Sequence, residues 1–189
     1  TVRDFGYFAI FVGNSYNFQA RGLTLVQTNG NNDALGWGRN ADGIHFYQSS
    51  EVRVIDCRIA STDDCIAVTG LDGYTSTNIV IANCVLSPYA GHPTYVNHGI
   101  RIGPDNGGYT TMNISDVKIS NTIIDCHASS GIIIGINSAS SRFVHGVTLD
   151  NVQINNAFVG NIQIGPQIGN APTETLSGAI SLLNIDDVT

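Results

Sequence analysis

Charge is scarce in this chain, and positive charge is the scarcest. The 189 residues contain 8 Lys and Arg against 15 Asp and Glu, and only 12% of the residues are charged. Binding to nucleic acid phosphates requires clustered Lys and Arg, so the absence of any basic run argues against a nucleic-acid partner. No run of 18 apolar residues occurs either, and we therefore expect no transmembrane helix and no membrane partner.

Two further absences concern metals and helices. No Cys-x-x-Cys pair is present among the four cysteines, which argues against zinc, and we expect neither a metal nor a cofactor. No segment has the pattern of a long amphipathic helix, and one methionine against 21 glycines favours strands and turns. Because 42% of the residues are hydrophobic, the chain can bury a core, and we expect one domain over residues 1–189.

What the sequence does contain is a repeat. Five segments read apolar, polar, apolar, then a small or polar residue and an amide or acid; they are 23–27, 52–56, 79–83, 117–121 and 147–151. This alternation is typical of half-buried strands, and the spacing is too short for βα units. We therefore predict an all-β chain folded as a right-handed parallel β-helix, a solenoid whose equivalent residues stack ~4.8 Å apart.

The last residue of each repeat segment is polar. We predict that these residues form one ladder at a turn, in which each side chain bonds its neighbour along the axis. Such a solenoid would leave unpaired strand edges at both ends, so we expect a partial solenoid that lacks capping coils and is the central part of a longer protein. The predicted ladder consists of Gln27, Asp56, Asn83, Asn121 and Asn151.

A second set of similar segments carries carboxylates and an imidazole. Residues 40–46, 62–68 and 97–103 read Asn-Ala-Asp-Gly-Ile-His-Phe, Thr-Asp-Asp-Cys-Ile-Ala-Val and Asn-His-Gly-Ile-Arg-Ile-Gly. If these segments stack, the acids and the histidine converge on one patch, as cleavage of a glycosidic bond requires. The predicted column contains Asp42, Asp64 and His98, with Asp63 beside it.

The chemistry of such a patch can be anticipated. Neighbouring carboxylates repel one another when all are ionised, which raises the pKa of one of them. That group should hold a proton near neutral pH and act as a general acid. An inverting site also needs room for a water between its carboxyl groups, which corresponds to a separation of roughly 6.5 to 9.5 Å.

These three motifs resemble those of the polygalacturonase family, glycoside hydrolase family 28, whose members are β-helices. The family motifs Asn-Thr-Asp-Gly, Gly-Asp-Asp-Cys and Gly-His-Gly match residues 40–43, 62–65 and 97–99 in the same order. The resemblance covers roughly residues 15 to 165. It implies that the chain is a hydrolase that degrades a cell-wall polysaccharide and is secreted as a monomer.

The resemblance also implies roles for the four site residues. Asp63 would be the general acid that protonates the leaving group. Asp42 and Asp64 would position and deprotonate the water that attacks with inversion. His98 would tune or orient the acid. Members of the family often bridge the cysteine of the aspartate motif to the next coil, which implies a bridge between Cys65 and Cys84.

The chain departs from the family one coil further on. The family carries Arg-Ile-Lys there, and its two cations hold the substrate's carboxylate. Residues 131–135 here read Gly-Ile-Ile-Ile-Gly, so Ile133 and Gly135 replace the cations. A tyrosine of the following coil is also missing from residues 161–168. This departure implies a substrate other than plain polygalacturonate, with Arg101 as the nearby cation that could bind it.

Aromatic residues near the site are candidate sugar platforms, because a pyranose ring stacks its C–H face on an aromatic ring. Loop aromatics can equally pack down on the solenoid. The candidates are Trp37, Tyr74, Tyr89, Tyr95 and Tyr109.

Two other functions use the same architecture. β-Helices of tailspikes and adhesins bind polysaccharide, often as trimers, so this chain could be a binding or structural segment on a virion surface. A lyase or epimerase would need a calcium cluster and a Lys or Arg base, for which Arg101 is the only candidate. Release of reducing ends from a panel of polysaccharides separates a hydrolase from a binding segment.

Overall fold

The structure of this protein is a computed structural model. It describes residues 1–27, 41–70, 74–88, 98–103, 112–126, 130–135, 142–157, 160–165, 179–181 and 184–188. Within these ranges all regular elements are β-strands, and the paired strands run parallel. The described residues include no helix long and apolar enough to cross a membrane. The predicted all-β class and parallel β-helix are confirmed.

The described part of the chain forms seventeen strands of the solenoid. They are β1 (Val2–Arg3), β2 (Phe8–Gly13), β3 (Gln19–Arg21), β4 (Thr24–Val26), β5 (Asp42–Tyr47), β6 (Val52–Ile55), β7 (Arg58–Ser61), β8 (Ile66–Thr69), β9 (Tyr74–Ala82), β10 (Val85–Pro88), β11 (His98–Ile102), β12 (Met112–Asp125), β13 (Ser130–Gly135), β14 (Arg142–Asn155), β15 (Gly160–Gly165), β16 (Ala179–Ser181) and β17 (Asn184–Val188).

The strands form two sheets. One has six strands in the order β15-β13-β11-β8-β5-β2, and we call it the site sheet. The other has eleven strands and bends around the remaining sides, and we call it the wall sheet. Within the wall sheet, β12 pairs with both β9 and β10, so one long strand continues two strands of the preceding coil. The chain passes through the site sheet once per coil, which stacks corresponding residues along the axis.

Single residues with positive φ bend the chain in the wall sheet, between β6 and β7, between β9 and β10, and within the long strands β12 and β14. Asn and Asp tolerate this left-handed conformation better than other side chains do, which explains why they recur at the turns. Asn83 donates to Asp56 at 3.2 Å, and Asn151 donates to Asn121 at 2.7 Å. These four predicted ladder residues have φ values between 48° and 57°.

The predicted fifth member of this ladder, Gln27, was assigned wrongly. Strand β4 pairs with β7, and Val26 lies opposite Ala60. Gln27 follows Val26, and its backbone N–H donates to the Ala60 carbonyl, so Gln27 is aligned with the end of β7 and not with Asp56. The strand equivalent to β6 is instead β3, whose Arg21 lies opposite Ile55. Gly22 therefore occupies the ladder position in the first coil.

Branched apolar side chains fill the interior. Residues in register on neighbouring coils point the same way, so each inward column is a continuous stack. Burying such side chains contributes roughly 1.5 to 3 kcal/mol each relative to exposure. One column on the site sheet consists of Ile44, Ile66, Ile100 and Ile132, all fully buried.

All four cysteines are buried free thiols that pack in this core, so the bridge between Cys65 and Cys84 was predicted wrongly. Cys65 lies beyond the end of β7 and contacts Ser61 Oγ at 3.2 Å. Cys84 lies before the start of β10, which pairs with β7. The two thiols are therefore near opposite ends of paired strands, too far apart for a disulfide.

Candidate active site

The register of the site sheet stacks the three predicted motifs. Ile66 lies opposite both Ile44 and Ile100 on its neighbouring strands. Asp42, Asp64 and His98 each precede one of these isoleucines by two residues, so they share one column. Oxygens of Asp42, Asp63 and Asp64 lie within 4.8 Å of one another. The solenoid thus brings three carboxylates from two coils into one cluster.

Glycines next to the column allow the coils to approach this closely. A Cβ atom at Gly43 would lie 2.3 Å from Ile59 Cγ2 and 2.5 Å from the carbonyl oxygen of Cys65. A Cβ atom at Gly99 would lie 2.3 Å from Ile124 Cγ2 and 2.7 Å from the carbonyl oxygen of Gly131. No side chain fits at such distances, so these two glycines are required for the stacking that assembles the cluster.

Asp64 is held by two basic side chains. The Nδ1 atom of His98 lies 2.6 Å from Asp64 Oδ1, and the backbone N–H of His98 donates to the same oxygen at 3.1 Å. Arg101 Nη1 lies 3.7 Å from Asp64 Oδ2. Burial acts to raise the pKa of Asp64, but His98 and Arg101 outweigh it and the pKa is lowered. Asp64 is therefore an ionised, anchored carboxylate.

Asp42 is held differently, through a contact that the sequence analysis missed. Its Oδ2 atom lies 2.6 Å from His45 Nδ1, and His45 Nε2 lies 2.7 Å from Thr69 Oγ1. All three side chains are buried. Burial raises the pKa of Asp42 to about 6; the hydrogen bond from His45 opposes this rise, and the charge of Asp64 adds to it. Asp42 thus binds a proton more readily than Asp64 does.

Asp63 is the accessible member of the cluster. It is partly exposed, whereas Asp42 and Asp64 are buried. The turn around it is held by two bonds, because the Asp63 amide donates to the Ala41 carbonyl at 3.3 Å and Ser61 Oγ donates to the Asp63 carbonyl at 2.9 Å. The cluster therefore offers one partly exposed carboxyl beside two buried ones.

The spacing of the carboxyl groups differs from expectation. The nearest oxygens lie within 4.8 Å, which is shorter than the separation of roughly 6.5 to 9.5 Å that is typical of inverting sites. Stacking on adjacent coils explains the difference, because the rung spacing of ~4.8 Å limits how far apart the side chains can be. Carboxylates this close can also hold a cation, but Asp42 and Asp64 already bond histidines, and we assign no metal here.

Arg101 lies in the outward column of the site sheet, between Ala67 and Ile133. Its side chain is largely buried, since only 13% of it is exposed, and it points toward Asp64. Ile133, which replaces the family arginine, is fully buried on the next rung. Arg101 is therefore the cation nearest the cluster among the described residues, and it is paired with a carboxylate.

The predicted aromatic platforms are not described in this structure. Tyr74 begins β9 in the wall sheet, and its side chain lies outside the described part. Trp37, Tyr89, Tyr95 and Tyr109 lie outside the described residues altogether.

Comparison with known proteins identifies a family and individual relatives. The family described as Glycosyl hydrolases family 28 matches residues 1–189. The chain is 24% identical over 186 residues to a probable endopolygalacturonase D of Emericella nidulans, covering 94% of this chain and 33% of that protein. It is 29% identical over 119 residues to a polygalacturonase of Juniperus ashei, covering 62% of this chain and 21% of that protein.

A solved structure is also similar. The polygalacturonase from Erwinia carotovora ssp. carotovora matches with a TM-score of 0.41 and 15% sequence identity, over 92% of this chain and 54% of that one. The chain spans about a third or less of the length of these curated relatives and about half of the solved one.

Proposed function

Because the chain belongs to glycoside hydrolase family 28, we propose that it hydrolyses glycosidic bonds in a polysaccharide with Asp42, Asp63 and Asp64. The observation that supports this most strongly is the clustering of the three carboxylate oxygens within 4.8 Å, each in a different environment. Hydrolysis needs one proton donor and one group that activates water, and different environments allow similar side chains to take these different roles.

Asp63 is the proposed general acid, although Asp42 is the buried carboxyl whose pKa is raised to about 6, and Asp63 is partly exposed. Its partial exposure lets it reach the glycosidic oxygen, to which it donates its proton as the bond to the anomeric carbon breaks. Asp42 and Asp64 hold a water molecule, remove its proton and direct it to the anomeric carbon. His98 and Arg101 keep Asp64 ionised and His45 orients Asp42, so that two oxygens face one water in a fixed geometry.

The substrate is a polysaccharide other than plain polygalacturonate. The relatives carry the name polygalacturonase, but the position of the family arginine is occupied by Ile133, which is buried and has no charge. Arg101 is paired with Asp64 at 3.7 Å. We therefore expect a glycan whose cleaved residue is not a galacturonate, and we place the enzyme outside the cell, where such polysaccharides occur.

The test is the Asp63→Asn substitution, with release of reducing ends from a panel of polysaccharides as the readout. An amide keeps the shape of the side chain but has no proton to give, so hydrolysis should be lost while the fold and glycan binding remain. Asp150→Asn is the matched control, because Asp150 lies on the wall sheet. Retained turnover in the Asp63→Asn variant would show that another residue is the general acid. Glycan binding without hydrolysis by the unmodified chain would favour a binding segment.

A further inference from the structure

Five rings cluster on the site sheet, one rung before the carboxylates. Phe8 is in register with Asp42, and Phe11 is in register with His45. Strand β2 therefore lies ~4.8 Å from the strand that carries Asp42. We call this cluster the aromatic patch; it consists of Tyr7, Phe8, Phe11, His45 and Tyr47.

The rings of the aromatic patch hold one another in place. Tyr7 and Phe8 meet edge to face with centroids 4.5 Å apart, and Phe8 and Phe11 are 5.2 Å apart. Phe11 lies 5.8 Å from the His45 ring and 6.0 Å from the Tyr47 ring. Rings that are fixed before binding lose little conformational entropy when a ligand arrives, which favours recognition.

Two of these rings face solvent. Phe11 is 53% exposed and Tyr7 is 45% exposed. On the following rungs of the outward column that contains Phe11, Ala67 and Ile133 are buried. Ile164 on β15, at the far end of the sheet, is also exposed, so what distinguishes Phe11 and Tyr7 is that they are exposed rings on and next to β2, the end strand beside the carboxylates. Exposed rings next to polar groups are typical of a binding surface.

His45 joins the aromatic patch to the carboxylate cluster. It bonds Asp42 through Nδ1, and its ring contacts Phe8 with centroids 5.0 Å apart. A ligand that covers the patch therefore continues without a break to the carboxylates. A sugar has the matching surface, because its C–H face suits the rings and its hydroxyl groups suit the carboxylates.

We propose that the aromatic patch is a glycan-binding subsite, at which pyranose rings of the polysaccharide stack on Phe11 and Tyr7 while the scissile bond lies at the carboxylates. This subsite rests on the proposed function for the identity of its ligand. A glycan chain fits better than a protein partner, since two exposed rings fall far short of the roughly 1,000 Å² that a stable protein interface buries. The substrate accordingly extends from Asp63 toward the first coil.

Binding can be measured without cleavage in the Asp63→Asn background. The probes are polygalacturonic acid, rhamnogalacturonan, galactan and xylan, each cast into a native gel that slows a protein in proportion to its affinity. Phe11→Ala and Tyr7→Ala should each weaken binding to the retarding glycan about two- to tenfold, the value expected for one lost aromatic stack. Phe11→Trp should retain binding. The matched control is Tyr16→Ala, because Tyr16 is 77% exposed and lies outside the patch.

The outcomes separate this proposal from the hydrolase assignment. Glycan binding that is unchanged in both alanine variants, or lowered equally by Tyr16→Ala, overturns the subsite. A loss of melting temperature with unchanged binding would show that the rings serve packing, and would also overturn it. If binding depends on Phe11 but the unmodified chain releases no reducing ends, the subsite is supported and hydrolysis is contradicted. Absence of binding to all four glycans overturns the subsite, even if hydrolysis is observed.

Discussion

His45 Nδ1 lies 2.6 Å from Asp42 Oδ2, and the opposite nitrogen of the same ring lies 2.7 Å from Thr69 Oγ1. When Asp42 is ionised it can only accept, so Nδ1–H donates to it and Nε2 accepts from the Thr69 hydroxyl. The carboxylate of Asp42 therefore selects this tautomer of His45, and the Thr69 hydroxyl, which also lies 3.5 Å from the Phe46 carbonyl oxygen, bonds the opposite nitrogen and steadies the ring. His45 is a positioning residue, because it acts through Asp42.

Replacing His45 or Thr69 should shift the pH dependence of hydrolysis. Asp42 must be ionised to accept a proton from water, so kcat/KM should rise with pH through about 6, the pKa to which burial raises Asp42. The bond from His45 lowers that pKa, and His45→Ala should therefore move the rising limb to higher pH. Thr69→Val should do so more weakly, and Thr69→Ser should restore the original profile.

The measurement is kcat/KM between pH 4 and 8 on whichever glycan is hydrolysed. A uniform loss of activity in His45→Ala, with the rising limb unmoved, would mean that the residue only supports the fold. Melting temperatures of the same variants control for a general loss of structure.

Asp42→Asn and Asp64→Asn should change stability in opposite directions at neutral pH. The pKa of Asp42 is raised in the folded state. Asp42 therefore adds to the free energy of unfolding at pH values below 3.8, its unfolded pKa, and this contribution is lost as pH rises through about 6. Asp42→Asn should thus stabilise the fold above pH 6, by on the order of 3 kcal/mol, and should match the unmodified chain below pH 4.

Asp64 behaves in the reverse way. Its pKa is lowered by His98 and Arg101 against the effect of burial, so its contribution is present above the unfolded pKa of 3.8 and is lost as pH falls through the folded value. Asp64→Asn should destabilise the fold at pH 7 by roughly 1 to 3 kcal/mol, because His98 and Arg101 lose their charged partner. Urea unfolding at pH 4 and pH 7 tests the pair, and equal signs at pH 7 would contradict the assigned charge states.

The stacking of Asp42, Asp64 and His98 could be predicted from the sequence because each of these three residues precedes a buried isoleucine by two positions. That offset carries over directly into the register of parallel coils. The wrong placement of Gln27 has the same origin, since residues 23–27 alternate more clearly than the short strand Gln19–Arg21 that pairs with β6. A regular pattern identifies a strand, but it does not say which neighbour the strand pairs with.

Other features depend on the folded chain alone. His45 stood inside a recognised motif, yet its partner Thr69 is 24 residues away, and only the stacking of β5 on β8 brings them together. The paired role of Arg101 likewise requires Asp64 on the preceding coil. The Tyr7 to Phe11 segment was rich in aromatic residues, and placing β2 next to β5 would have indicated the aromatic patch.

Hydrolysis should invert the anomeric configuration, although the carboxyl oxygens lie within 4.8 Å of one another, a spacing nearer to the roughly 5 to 5.5 Å of retaining sites. Retention would require one carboxylate to attack the sugar, but Asp42 and Asp64 are both buried and each is bonded to a histidine at 2.6 Å. Anchored in this way, they suit the holding of one water better than the formation of a covalent bond. Proton NMR of the first-formed product gives the answer, and an initial excess of the retained anomer would contradict the water-holding role.

The thiols should be reduced in the folded protein. All four are buried and free. Burial raises the pKa of Cys65 and of Cys126 to about 12, which keeps these two protonated and unreactive, whereas the hydrogen bond with Cys84 lowers the pKa of Cys57 to about 6. Thiol titration in denaturant should therefore detect four groups, and a reducing agent should leave the melting temperature unchanged. A drop of several degrees on reduction would indicate a disulfide between coils. Cys65→Ser, which replaces the buried thiol with a smaller hydroxyl, should lower stability only by about 1 to 3 kcal/mol.

Activity on polygalacturonic acid should be low even though Asp42, Asp63 and Asp64 are assembled. A charge-assisted contact with a substrate carboxylate typically contributes about 1.5 to 3 kcal/mol, so losing two of them costs several orders of magnitude in rate. Ile133 is buried where such a contact would begin, and Arg101, one rung earlier in the same column, is paired with Asp64. Recruiting Arg101 to the substrate would remove a group that lowers the pKa of Asp64. Reducing-end assays on polygalacturonic acid and on neutral glycans, with Asp63→Asn as the blank, measure the preference. Efficient cleavage of polygalacturonic acid that is abolished by Arg101→Gln would contradict this prediction and assign the carboxylate clamp to Arg101.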